Sequence, residues 1–293
     1  MTSVPNPFES PRPRGIRFLQ GIMRVVVVAQ CWGQAAAYLH LQQLTPVASL
    51  MEQAYQVSAA EIALAHRVVS VALLVCGFFT MLRPCWPVLI PVGLWQCLVA
   101  ASATMYGTGM LPAVEPMLYA PRIVAPLALM LIDLWPPRVR TTLGMARAAT
   151  GLMQVALLLL FLGHSIQAFS EWQKPGPLHN LLVECVHELR LRPLPDVRIQ
   201  YILLGMGVIE ITSAVALAGP RQRGLALWLT LWGGVLAMAY TIAYGMQGYA
   251  ETLMRAPDVG CSLSLFVFWT LAIRRSTQEF VPEPGDPAKP PKR

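Results

Sequence analysis

A single carboxylate in the middle of a long apolar run is the group in this sequence with the most unusual chemistry. Glu210 lies about eleven residues into the apolar stretch 199–219, near the depth where a bilayer midplane would fall. A carboxylate there costs about 2.5–3.5 kcal/mol on the insertion scale, so it must face a protein interior, bind a proton or find a cation. Arg24 and Arg147 approach that depth from one side of the membrane and His164 from the other. At a rise of 1.5 Å per residue His164 is expected roughly 7 Å above Glu210, room for a water or a ligand headgroup. Glu210, His164, Arg147 and Arg24 therefore form a candidate polar cluster inside the membrane. Its functional reading is a proton or headgroup site, and its plain reading is a structural pair that locks helix packing.

Other chemistry-bearing residues are weaker signals. Glu184 and His187 have the Glu-x-x-His spacing of di-iron helices, but the second such pair that site needs is missing, and a solvated polar face accounts for them. His164 has only His66 and His40 near its depth, and no spacing argues for haem or another metal. Cys31, Cys76 and Cys97 fall in apolar runs and read as packing groups. Cys185 and Cys261 share one side, where oxidation depends on the compartment. No Cys-x-x-Cys, phosphate-binding glycine loop, Gly-x-Ser-x-Gly elbow or zinc spacing occurs.

The elements that hold these residues follow from composition. Of 293 residues, 55% are hydrophobic and 13% charged, with a mean hydropathy of +0.52, which points to lipid as the solvent for most of the surface. Eight apolar runs are long enough to cross a bilayer: 18–40, 64–82, 87–107, 119–135, 147–169, 199–219, 224–245 and 259–274. The first begins among arginines without a cleavage-like site and reads as retained. The longest segment between runs, about 28 residues, is too short for a soluble catalytic domain. With the N-terminus inside, 15 of the 22 Lys and Arg residues fall on the cytoplasmic side. The other side holds seven, outnumbered there by nine acidic residues. By the positive-inside rule both termini are cytoplasmic, the basic balance of +7 is a topology signal rather than a nucleic-acid footprint, and the default location is the plasma (inner) membrane. The proline-rich tails 1–16 and 277–293 are expected to be disordered.

The sequence also repeats. Arg17, Gly21, Met23 and Gly33 recur 130 residues later as Arg147, Gly151, Met153 and Gly163. Pro46–Met51 corresponds to Pro177–Leu182, Trp95 to Trp232, and Glu115…Pro121 to Glu251…Pro257. These matches predict an all-α fold of two parallel four-helix repeats, 17–140 and 141–276, because four spans return the chain to its starting side. Glu115 and Glu251 become equivalent residues at the outer mouth, either paired acids or markers of re-entry turns. Two amphipathic segments, with Val47, Leu50, Met51 and Ala54 in one and Leu178, Leu181, Leu182, Cys185, Val186 and Leu189 in the other, are expected to lie on the membrane. They either cover a cavity or rest on the bilayer. Thr45 and Pro46 suit the start of the first, and Ser58 with Glu61 reads as a capping box for the next span.

Arg147, the Phe-Leu-Gly163-His164 segment, Glu210 within Gly-Val-Ile-Glu-Ile, and Glu251…Pro257 give residues 145–274 a resemblance to the DoxX-like family of four-helix membrane proteins. The first half looks like a diverged copy, with Gln34 in place of His164 and Gly77 near the position of Glu210. The resemblance implies a membrane helical bundle. Because some members are linked to quinone oxidation, quinone is its candidate cofactor and a redox protein its candidate partner. With no catalytic constellation, the expected function is a non-catalytic accessory or scaffold subunit with a lipid- or small-molecule-binding cavity. The alternatives are a membrane subunit of a quinone-linked oxidoreductase using Glu210 and His164 as a proton relay, and a proton-coupled solute carrier.

Overall fold

The computed structural model describes residues 13–107, 111–134 and 143–278. The expected disordered tails lie outside these residues except for 13–16 and 277–278, which instead extend the first and last helices. Among them every regular element is helical. The chain runs α1 (Pro13–Leu39), α2 (Pro46–Tyr55), α3 (Ala59–Leu82), α4 (Trp86–Tyr106), α5 (Glu115–Leu118) and α6 (Ala120–Ile132). It continues with α7 (Leu143–Gln173), α8 (Pro177–Glu188), α9 (Asp196–Ala218), α10 (Arg223–Tyr244), α11 (Tyr249–Met254) and α12 (Ala256–Gln278). Seven helical segments among the described residues are long and apolar enough to cross a membrane, which marks a multi-pass membrane protein. The eighth expected span, α12, is helical but is not one of the seven.

The helix α3 shows why lipid must surround the bundle. Its buried face carries His66, Ser70, Gly77 and Thr80 beside Ile62 and Leu73, whereas Leu64, Val68, Val71, Val75, Phe78 and Phe79 are exposed. A helix whose outside is more apolar than its inside would be unstable in water and is at home in hydrocarbon. The expected capping box opens this helix. Glu61 N–H donates to Ser58 Oγ, and the Glu61 carboxylate accepts from Ser58 N–H at 3.1 Å. Thr45 does precede α2, but its hydroxyl meets His66 Nε2 at 3.1 Å instead of capping.

Helices α1, α6, α7 and α12 make the centre of the bundle, with α3 and α4 outside α1 and α6, and α9 and α10 outside α7 and α12. Met23, Val27 and Cys31 of α1 and Met153, Leu157 and Phe161 of α7 are almost fully buried there with Leu129, Ile132, Cys261 and Leu265. The centre is closed crosswise. Helix α1 packs on α11 and α12, and α7 packs on α5 and α6. Small residues make these contacts possible. A Cβ on Gly33 would lie 2.7 Å from Leu253 Cβ and from the backbone nitrogen of Met254, and one on Gly163 would lie 3.0 Å from Leu118 Cδ2.

Each last long helix is preceded by a short one and a break. Tyr119 (φ −87°, ψ −7°) separates α5 from α6, and Arg255 (φ −88°, ψ 4°) separates α11 from α12. Both breaks stand just before an Ala-Pro pair, Ala120-Pro121 and Ala256-Pro257. Proline has no N–H to donate and its ring crowds the carbonyl four residues back, which favours a break at either position, although Pro91 and Pro126 stand inside α4 and α6. The break turns the residues around it toward the interior.

Candidate functional site

One cavity of about 430 Å³ opens at the end of the bundle that carries α2 and α8. Helices α7, α9 and α10 form its walls with His164 and Gln167, Met206 and Glu210, and Leu236, Tyr240 and Tyr244. The breaks described above supply Glu115, Tyr119 and Arg122 from one half and Glu251 and Arg255 from the other. The amphipathic α8 covers it with Pro177, Leu178 and Leu181, so the covering role is the one this segment takes. Its position is held by Glu171, which is buried and accepts a 2.9 Å hydrogen bond from the His179 backbone N–H in the first turn of α8. Gln167 in turn donates to the other oxygen of Glu171 at 2.8 Å.

Glu210 and His164 meet more closely than helical rise alone implied. His164 Nδ1 lies 3.6 Å from Glu210 Oε1, not roughly 7 Å away, because inclined side chains shorten the axial separation between neighbouring helices. The Trp232 indole N–H donates to the same oxygen at 3.3 Å. The second oxygen, Oε2, is buried and has no hydrogen-bond partner. Glu210 itself is 1% exposed.

Neither Arg24 nor Arg147 joins this pair. Arg24 binds Asp133 at 2.5 Å at the opposite end of the bundle, and Arg147 is exposed there near the start of α7. The expected four-residue cluster is thus reduced to Glu210 and His164, since depth in the membrane does not fix the direction in which a side chain leaves its helix. Glu115 and Glu251 do line the same cavity.

The cations of the cavity are Arg122 and Arg255, which the sequence reading counts only among the seven basic residues of the outer side. Arg255 stands 3.9 Å from Glu251, donates to the Tyr240 hydroxyl at 2.7 Å and lies over the Tyr240 ring. Arg122 lies over the Tyr119 ring at 4.9 Å and is 7% exposed, and its Nε has no hydrogen-bond partner. The signal in the sequence is positional: each arginine stands within three residues of an Ala-Pro break that turns its neighbours inward. A separate small void of about 10 Å³ lies between His164, Arg255 and Asp258.

The remaining candidates are elsewhere. Glu184 and His187 are exposed, and His187 meets only its neighbour Glu188 at 3.4 Å. His66 is held by the Ile62 carbonyl and Thr45, and His40 lies 3.2 Å from the Tyr249 hydroxyl. Cys185 and Cys261 are both free thiols, and Cys185 donates to the Ala239 carbonyl. Compared with known protein families, curated proteins and solved structures, the chain matches none of them.

Proposed function

We propose that this protein is a non-catalytic membrane subunit of DoxX-like type that holds a small molecule or a lipid headgroup in the cavity between its two halves. The observation that carries this reading is the cavity itself: about 430 Å³, walled partly by leucines and methionine and partly by ionisable side chains. Such a mixture of an apolar wall with a few converging polar groups is what ligand sites have in common. The same element series in 13–132 and 143–278, with Gly33 and Gly163 each set against the short helix of the other half, supports two parallel four-helix repeats, the second of which supplies most of the cavity wall. The lysine and arginine bias supports cytoplasmic termini in a plasma (inner) membrane, with the α2/α8 end on the far side.

The test is native mass spectrometry of the intact protein released from mild detergent. One retained molecule per chain is expected in the wild type, lost in Leu178→Trp, whose indole enters the cavity from the covering helix α8. A wild-type chain that retains nothing overturns the reading. A retained quinone that disappears in Glu210→Gln moves the protein to the quinone-linked subunit instead.

A further inference from the structure

Two ionisable side chains of opposite type, Arg122 and Glu210, line the cavity and each keeps a buried atom without a hydrogen-bond partner. Arg122 is the buried cation without a carboxylate at ion-pair distance among the described residues, unlike Arg24 with Asp133 and Arg255 with Glu251. Its Nε is free of any acceptor, as is that of Arg255. At the Glu210 end, Oε2 is buried without a donor while Oε1 is already engaged by Trp232 and faced by His164. A buried guanidinium Nε and a buried carboxylate oxygen, each without a hydrogen-bond partner, are expensive to keep in a membrane unless something completes them.

Neither a simple anion nor a simple cation does so. An anion on Arg122 shares the cavity with Glu115, Glu210 and Glu251, and a cation on Glu210 shares it with Arg122 and Arg255. A molecule that carries both charges satisfies both ends and leaves the site's own charge unchanged. The guanidinium fork matches the two oxygens of a phosphate or carboxylate. An ionised carboxylate oxygen only accepts hydrogen bonds, so its partner must carry N–H groups, which selects a primary ammonium over a trimethylated one. The apolar side of the cavity, formed by Leu118, Leu178, Leu181, Met206 and Leu236, accommodates the carbon skeleton attached to such a group.

Building on the binding reading above, we infer that the site takes a zwitterion whose phosphate binds Arg122 and whose primary ammonium binds Glu210, the chemistry of an ethanolamine phospholipid headgroup. The same chemistry is available from the membrane lipid or from soluble phosphoethanolamine.

The test measures binding to the full-length protein in detergent, by thermal shift titration with short-chain phosphatidylethanolamine, phosphatidylcholine and phosphatidylglycerol and with soluble phosphoethanolamine. Saturable binding of the ethanolamine lipid is expected, with the choline and glycerol lipids weaker by about tenfold or more, as when one hydrogen-bonded charge is lost. Arg122→Gln is expected to weaken the ethanolamine lipid by about 30-fold or more. Arg122→Lys, which keeps the charge but loses the fork, serves where the glutamine variant fails to fold and is expected to fall between the two. Glu210→Gln is expected to bring the ethanolamine and choline lipids to within about twofold of each other, a loss of preference that general destabilisation does not produce. Phosphoethanolamine binding as tightly as the lipid assigns the site to the soluble source. Equal binding of the glycerol lipid, an unchanged ethanolamine preference in Glu210→Gln, or no binding of any zwitterion overturns the inference. If the protein nonetheless retains another molecule in native mass spectrometry, only this inference fails. If it retains nothing, the binding reading fails with it.

Discussion

The two halves of the molecule place different chemistry at corresponding points of the same series of helices. In the first, Gln34 on α1 accepts a 2.7 Å hydrogen bond from Gln96 on α4, and Tyr38 packs edge-on against His66 and Trp95 with ring centroids 5.4 and 6.5 Å away. In the second, 130 residues on, His164 stands where Gln34 does and Ala168 where Tyr38 does. There Glu210 faces His164, Trp232 donates to it, and the space beyond is open. Neutral amides and large rings close one half, and ionisable groups with a small residue leave the other accessible. The bundle thus holds a packed element in one half and a site beside the other, and the difference lies in a handful of side chains near the α2/α8 end.

That contrast can be broken most forcefully by opening the closed half. Tyr38→Ala removes a ring that is 8% exposed and touches both His66 and Trp95. It is expected to destabilise the protein by about 4 kcal/mol, read by thermal or denaturant unfolding in detergent, as aromatic deletions in cores do. An unchanged midpoint would mean that the first half is not packed shut.

The amide pair gives a sharper comparison. Gln34→Leu strands the buried amide of Gln96, with an expected loss of about 2 kcal/mol, while Gln34→Leu with Gln96→Leu recovers most of it because neither partner is left unpaired. A double-variant cycle with no coupling would show that the pair is incidental. Helix approach distinguishes the halves by a smaller amount. Gly33→Ala drives a methyl against backbone atoms of α11 and is expected to cost about 1.5 kcal/mol, whereas Gly163→Ala meets side-chain atoms of Leu118, Met117 and Val114 at 3.0–3.3 Å and costs less. Equal midpoint shifts would remove that asymmetry. The smallest expected effect is Glu61→Ala, which opens the capping box of α3 and should lower stability by about 0.5 kcal/mol without altering ligand retention in the second half. A change in retention would tie the two halves together.

Much of the fold was legible because its signals are local. Apolar runs long enough for a bilayer became helices with ends displaced by a few residues, as at α3, which starts at Ala59 rather than 64. Ser58 and Glu61 formed their capping box because that motif needs only one turn of helix. The site was legible in part. Glu210 and His164 could be singled out because an acid in an apolar run is rare, and Glu115 and Glu251 because they recur at matching positions. Arg24 and Arg147 were misplaced because depth along a helix carries no information about its facing. Arg122, Arg255 and Tyr240 were missed because their inward direction arises from helix breaks and crossed packing between halves.

The sequence by itself determined that this chain is a bundle of apolar helices, where the helices begin and break, and which acid is too costly to be exposed to lipid. These are properties of hydropathy, proline and hydrogen-bond satisfaction within one or two turns. Only the tertiary structure decided which ionisable groups share a cavity. That depends on how α5 and α11 cross to the opposite halves and how each helix is rotated about its own axis, which close packing of distant residues alone sets.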